Sequence, residues 1–516
     1  MSSVEAEAFA IVGGTIIDGN GGKPINDGVI LIEGKRVAGV GINSHAVAPQ
    51  TKKISAAGKY IMPGMMDANV HLFLFIIPGE LMRYEGHYEE LIAEAAQVAL
   101  KNGLTTVFDT WGPREALTHV RDRINQGHEV GSRIFFAGNI IGLGGPTSSD
   151  FLPISRSVFT KSEADAIDSR WEQGVGRNLL WMTPTEVRDC IRAYVQGGHQ
   201  NFLKYASSGH ALTHFEYICF SEKVQRIIVE EGHRAGITVQ AHTTSPESLR
   251  MEIDAGADLL QHPDLTGSVP LPQETLDVIA QRNIPCAAMF ATRRYLEWSN
   301  AHDDEFLRIA QRIKDENDRR LVIARAPILL TTDAGVFPAD TSDHRLGLTW
   351  RIATADQSPV SMGEAHFRWL EAAAELGMRP MDALMAATRN CARAYKIDKE
   401  LGTLEAGKIA DLLILDKNPL EDPANYRSIS LVMKEGRIID RDSLPTKKLF
   451  TSSSTAQTMG RQPYSEAGRV TAMSRLTNQV QAYTRANLCV CSALRALVSR
   501  WAMSCPPPSL PPGLLK

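Results

Sequence analysis

Metal-binding side chains recur where β-patterned runs end. Asp67-Ala-Asn69-Val-His71 closes one run and Lys204 lies in NFLKYASSGH; later runs end in Ala241-His242, Gln261-His262-Pro263 and Thr332-Asp333-Ala334-Gly335. A single histidine or lysine at a strand end is ordinarily a hydrogen-bonded structural residue. Five separate runs that each end in such a group are a different matter. Asn69 and His71 are two apart, so both project from the same side of an extended chain. Imidazoles and carboxylates converging on one mouth make a metal centre. Serine chemistry lacks its residues, since no nucleophile elbow or Ser-His-Asp pattern occurs. The 7 cysteines, Cys489 and Cys491 among them, follow no ligand or disulfide spacing.

Strand ends converge in this way at one face of a barrel. Apolar strand-like runs lie near Tyr60–Met66, Thr105–Asp109, Arg133–Ala137, Asn201–Ala206, Thr238–Ala241, Leu259–Gln261, Ile284–Phe290 and Ile328–Thr332. Helical patterns separate most of them: Glu90–Lys101, Arg114–Asn125, Thr185–Val195, Glu222–Arg234, Glu247–Ala255, Gln273–Gln281 and Asp304–Ala324. Two more, Gly363–Leu376 and Met381–Tyr395, follow the last strand. This alternation predicts an α/β fold, a (β/α)8 TIM-like barrel over residues 59–386, whose active site belongs at the C-terminal strand ends. A doubly wound sheet would need a Gly-rich phosphate turn after its first strand, and none is present. Short β-patterned runs flank the barrel: Ala10–Ile17, Gly28–Ile32 and Arg36–Val40 before it, Gly402–Asp416 and Ser430–Ile439 after it. Neither set buries much apolar surface alone, so residues 1–58 and 387–440 are expected to form one small β-sandwich domain.

Residues 441–516 differ, with 10 Lys/Arg against 2 Asp/Glu. Val470, Met473, Leu476, Val480 and Tyr483 follow a helical spacing there. A basic, partly helical tail that packs on a partner subunit is the expectation, and with it a homo-oligomer. The whole chain of 516 residues carries a formal charge of −4, which gives no general basic field for nucleic acid. No apolar run reaches the roughly 18 residues of a membrane span. The N-terminus, MSSVEAEAFA, has neither region of a secretory signal, so a cytoplasmic protein is expected.

The pattern of metal-binding residues resembles the amidohydrolase superfamily: His-X-His after strand one, a carboxylated lysine after strand four, histidines after strands five and six, and aspartate after strand eight. The approach Ile61-Met-Pro-Gly-Met-Met-Asp67, the closing LGTLEAGKIADLLILD and the split sandwich are also typical of that group. The resemblance covers residues 8–440. One position departs from it: DANVHL puts Asn69 where most relatives have histidine. This Asn-X-His variant resembles the phenylurea hydrolases and molinate hydrolase, which cleave the urea or thiocarbamate group of herbicides.

The resemblance implies one or two divalent metal ions per chain. Asn69 and His71, with Asp333, would hold the more buried ion, His242 and His262 the second, and Lys204 would bridge them as N6-carboxylysine. Zinc is the first expectation. An amide oxygen is a harder, weaker donor than imidazole, which leaves room for cobalt, manganese or iron. Asn69 would then ligate weakly, hydrogen-bond a water instead, or suit a metal that tolerates mixed donors. Asp333 would serve as general base and then general acid.

The segment after strand one, His71-Leu-Phe73-Leu-Phe75-Ile-Ile-Pro, is unusually apolar for a loop over an active site. Phe73, Phe75, Trp111, Tyr295 and Trp350 are candidate substrate contacts, with Phe290 and Trp298 near other strand ends; the alternative is that these aromatics only pack the loops. His210 is a candidate for a catalytic hydrogen bond to the substrate carbonyl, and His214 a weaker one. Arg293-Arg294 could bind a substrate carboxylate, or be a solvated face. The expected activity is hydrolysis of the C–N bond of a small neutral urea, an N-phenylurea herbicide of the diuron or linuron kind, with release of an aniline. Thiocarbamate hydrolysis and a prolidase-like dipeptidase are the enzymatic alternatives. A degenerate barrel kept as a binding protein is the other, and the intact His71, Lys204, His242, His262 and Asp333 argue against it.

Overall fold

The run Tyr60–Met66 is two strands, and Gly64 divides them. A Cβ at Gly64 would stand 2.2 Å from Thr105 Oγ1, so only glycine lets the chain pass there from one sheet to the next. The computed structural model describes residues 8–42, 47, 49–73, 81, 84–151, 159–209, 217–303, 305–336 and 360–449. In chain order the strands before Gly64 are β1 (Ala8–Ile16), β2 (Ile25–Glu33), β3 (Arg36–Ile42), β4 (Lys52–Ser55) and β5 (Tyr60–Pro63). Then come β6 (Met65–Val70), β7 (Leu104–Asp109), β8 (Arg133–Phe136), β9 (Ile140–Ile141), β10 (Phe202–Ala206), β11 (Thr238–His242), β12 (Leu259–Gln261), β13 (Cys286–Ala288) and β14 (Ile328–Leu330). The last are β15 (Leu412–Leu415), β16 (Ile429–Lys434) and β17 (Arg437–Ile438).

The two ends of the chain share one sheet, ordered β17-β16-β15-β5-β1-β2-β3 with β4 beside β1. The join is β5, antiparallel to β15 with Ile61 opposite Ile414, and parallel to β1 with Ile16 opposite Ile61. Ile11, Ile16, Ile30, Ile32, Ile61, Leu412, Ile414 and Met433 form its core. Apolar side chains from both ends of the sequence thus share one interior, which neither end could build by itself.

The barrel strands form two parallel ladders, β6-β7-β8 and β9 through β14 in order, with β9 following β8 after a break at Gly138. The far edges meet in a parallel bridge between Val70 and Ala334. There His71 N donates to Ala334 O and Asp333 N donates to Asn69 O, both at 2.8 Å. The architecture is α/β of the TIM-barrel type. Phe108, Phe202, Leu259, Ala287 and Leu329 point inward from five strands and pack on Tyr395 from below. The intervening residues Val107, Leu260, Cys286, Ile328 and Leu330 face outward to Leu91, Leu117, Leu276 and Leu370 of the helical layer.

Helices Arg114–Asn125 and Glu222–Arg234 have the bounds their spacing predicts. The pattern Met381–Tyr395 is two helices, Pro380–Ala386 and Arg389–Ala394. Two further helices, Lys161–Glu172 and Arg293–His302, are not signalled by an apolar stripe; a Thr160–Glu163 capping box starts the first. Residues 441–449 pack on helix Tyr88–Lys101: Arg441 Nε donates to Lys101 O (2.8 Å) and Thr446 N to Gln97 Oε1 (2.8 Å). The rest of the tail, and Phe75, His210, His214 and Trp350, lie outside the described residues. Among the described residues no helix is long and apolar enough to cross a membrane.

Candidate metal centre

Period-two geometry lifts the reactive side chains directly above the apolar floor. Lys204 stands two residues beyond Phe202 on β10, and the end of β11 is His242. Asn69 and His71 come from β6 and the residue after it, His262 follows β12, and Asp333 follows β14. His262 and Asp333 both have left-handed backbone, φ +55° and +57°. Non-glycine residues seldom adopt that conformation, and it turns both side chains out of the strand direction.

The groups meet at Asp333. His71 Nε2 donates to Asp333 Oδ1 at 2.9 Å, and Asn69 Nδ2 donates to the same oxygen at 2.9 Å. Asn69 Nδ2 also faces His262 Nε2 at 3.5 Å, and the His242 and His262 rings lie edge to face with centroids 5.5 Å apart. Thr110, at the end of β7, donates its hydroxyl to Asn69 Oδ1 and accepts from Lys204 Nζ at 3.0 Å. Five predicted residues, Asn69, His71, Lys204, His262 and Asp333, are therefore linked directly or through Thr110, with His242 beside His262. The Asp333 side chain is 30% exposed against 8% for His71, so the carboxylate is the member that reaches the opening.

Charge in this cluster follows from burial and neighbours. Burial pushes the Asp333 carboxyl up, but His71, His262 and Lys204 together outweigh it and hold the group well below the usual carboxylate range. Burial pulls Lys204 down to about 8 against the attraction of Asp333, Asp109 and Glu252. His262 is lowered by burial to about 4 and is neutral at pH 7.

Three buried carboxylates absent from the predicted set hold the backbone on which the site stands. Asp67 accepts from the Thr332 and Asn69 amides, each at 3.2 Å, and from the Thr332 hydroxyl. Asp109 accepts from Leu72 N at 2.7 Å and Trp111 N at 3.1 Å. Glu252 accepts from Ala241 N at 2.7 Å, next to His242. Burial raises Asp67 and Asp109 to about 7 and Glu252 well above its usual value. Asp109 could have been found in the sequence, since it ends the second barrel strand; Glu252 sits on a helix and carries no such signal.

The aromatic candidates separate. Phe73 and Trp111 are buried in a cluster with Tyr88, Phe151 and Trp171, the Trp111 ring edge-on to His71 at 6.1 Å. They stand behind His71, enclosed by other aromatic rings. Tyr295 is half-buried and stacks on Trp298, Phe290 stacks on Trp369, and Arg293 and Arg294 are exposed.

A family model described as the amidohydrolase family matches residues 60–439. The chain belongs to the amidohydrolase family. Among solved structures it is similar to molinate hydrolase, 39% identical with TM-score 0.80, over 90% of this chain and 99% of that one. It is likewise similar to phenylurea hydrolase B, 36% identical with TM-score 0.81, over 86% and 99%. By sequence it is 25% identical to the ochratoxinase of Aspergillus niger, over 85% of this chain and 88% of that protein. This amidohydrolase is a hydrolase, and enzymes of its family generally use divalent metals.

The donor set fits such an ion. It combines a carboxylate held ionised, a neutral imidazole at His262, and a buried His262 Nδ1 with no hydrogen-bond partner among the described residues. No three His, Cys, Asp or Glu groups among the described residues stand together as a finished ligand cage. Asp333 is drawn instead to His71 and Asn69, and the remaining candidate donors are an amide and an amine.

Proposed function

We propose that this amidohydrolase cleaves the C–N bond of a small neutral urea, an N-phenylurea, releasing an aniline. The observation that carries the reading is the meeting of Asn69 and His71 with Asp333 at the barrel mouth, together with the likeness to phenylurea hydrolase B. Asn69, His71, His242, His262, Asp333 and a carboxylated Lys204 would hold one or two divalent ions, zinc first. A bound ion would supply polarisation of the substrate carbonyl and a more acidic water, with pKa lowered to about 7.

The rest falls to the chain's own residues. Asp333, ionised and nearest the opening, takes the proton of the attacking water at a carboxylate oxygen. It then returns that proton to the leaving nitrogen, which would otherwise depart as an unstable anion. His71 holds the Asp333 oxygen in place. Asp109, accepting from Leu72 N and Trp111 N, fixes the turn that carries His71. His210, in the segment after Lys204, is proposed to hydrogen-bond the substrate carbonyl, and Phe75, Tyr295 and Trp350 to contact the aryl group.

The likeness to molinate hydrolase favours a second reading, a thiocarbamate substrate at the same centre. Turnover of a phenylurea, a thiocarbamate and an Xaa-Pro dipeptide, each with zinc, cobalt or manganese added to metal-depleted enzyme, tests both. Aniline release from the phenylurea alone is expected. Exclusive turnover of the dipeptide would overturn both readings.

A further inference from the structure

Thr110 joins two residues of the centre that do not touch each other. Its hydroxyl has a single proton. Lys204 Nζ, an ammonium with donors only, lies 3.0 Å from Thr110 Oγ1, so the oxygen must accept from it. The one remaining proton goes to Asn69 Oδ1. An amide so anchored turns its nitrogen the other way, and Asn69 Nδ2 does face Asp333 Oδ1 at 2.9 Å and His262 Nε2 at 3.5 Å. In this arrangement Asn69 offers the centre a donor and withholds its oxygen.

We infer that Thr110 is a positioning residue that ties the orientation of the Asn69 amide to the chemical state of Lys204. The inference rests on the carboxylation of Lys204 proposed above. In that step the ammonium first gives one proton to water, and the neutral amine adds to dissolved carbon dioxide. The nitrogen lone pair forms the new C–N bond, one C=O π pair moves onto oxygen, and the proton leaving nitrogen goes to water. The end of the side chain then presents two anionic oxygen acceptors and a single N–H where it had presented three ammonium donors. The Thr110 proton turns to a carbamate oxygen, the stronger acceptor. Its lone pairs are then open to a donor, and beside the one N–H that the carbamate nitrogen keeps, the Nδ2 end of Asn69 is the group among the described residues that can turn to supply one. The amide rotates half a turn, placing Oδ1 on the side of His71 and Asp333, where an oxygen can ligate a cation. Lysine carboxylation and the oxygen donor of the Asn-X-His motif thus arise together. Thr110 is fully buried, so bulk water does not compete for its hydroxyl.

The experiment titrates metal-depleted full-length enzyme with zinc, with and without carbon-13 bicarbonate, and follows the carbamate carbon by NMR. Wild type should show the carbamate signal and bind zinc more tightly with bicarbonate. Thr110→Val, which keeps the shape and removes the hydroxyl, should bind zinc about ten-fold more weakly and lose the bicarbonate dependence. Thr110→Ala gives the same comparison should the valine variant not accumulate, and Thr110→Ser should restore wild-type behaviour. In an Asn69→Asp background either carboxylate oxygen can face the centre, so Thr110→Val should change affinity by less than about two-fold. A carbamate signal in wild type with unchanged zinc binding in Thr110→Val overturns the role of Thr110 alone. An equal loss in the Asn69→Asp background does the same. No carbamate signal in wild type overturns the reading of Lys204, and the coupling falls with it.

Discussion

The floor and the mouth of the barrel are built by the same strands, two residues apart, and they answer to different demands. On the floor Phe108, Phe202, Leu259, Ala287 and Leu329 close on Tyr395, whose ring stacks on Phe108 with centroids 3.7 Å apart. At the mouth the next inward positions carry Lys204, His242 and the polar groups around Asp333. The floor is apolar and shares no charge. The mouth, buried apart from Asp333, holds its groups by charge and hydrogen bonds, whose desolvation is unfavourable unless paired. The fold rests on the first and the proposed chemistry on the second, so substitutions should separate stability from turnover.

The sharpest break is Asp333→Asn. Turnover should fall by about 10²- to 10⁴-fold, as expected for loss of a general acid–base group, while bound metal and the thermal midpoint stay near wild type. Near-native rates would remove Asp333 from proton transfer. Phe202→Ala is the converse: a loss of about 3–5 kcal/mol in urea unfolding, with turnover per folded molecule little changed. Equal damage to both would show that floor and mouth are one cooperative unit. Asp67→Asn acts at the seam, where the carboxyl holds Thr332 and Asn69 in place. Metal affinity should drop by about ten- to hundred-fold with a smaller change in kcat, measured by zinc competition and steady-state kinetics.

The smallest effect lies outside both regions. Burial lowers His366 to about 3, against an unfolded value of 6.5, while its Nε2 donates to Asn102 O at 3.0 Å. The neutral ring is the folded form, so as pH falls below 6.5 the unfolded chain takes up the proton first. Stability should therefore be present above that pH and be lost on acidification, by up to about 2 kcal/mol near pH 5. His366→Gln keeps a donor for Asn102 O without titrating, and urea midpoints at the two pH values should then converge. A slope unchanged in the variant would assign it to other groups.

Much of this division is legible in the chain because a strand repeats every two residues. The apolar floor, the strand ends and their reactive residues follow from that period. What escaped depends on contacts distant in sequence. No local pattern tells that Gly64 passes against Thr105, so β5 and β6 read as one strand. Helix Lys161–Glu172 has few apolar residues, and its Asp168 is buried because it accepts from Thr147 N at 2.8 Å, a partner 21 residues away. Glu252 looks like an ordinary helical carboxylate, yet it grips the strand beside His242. Thr110 resembles any strand threonine until Lys204 and Asn69 stand on either side of it.

The left-handed backbone at His262 and Asp333 has a bearing on how this enzyme could be improved. Glycine or asparagine would relax both positions, and a selection for heat tolerance alone will favour them. Variants that survive such a selection are expected to be sturdier and inert, because the two strained residues are among those proposed to hold the metal and move the proton. Any library made to harden the protein should leave both codons untouched.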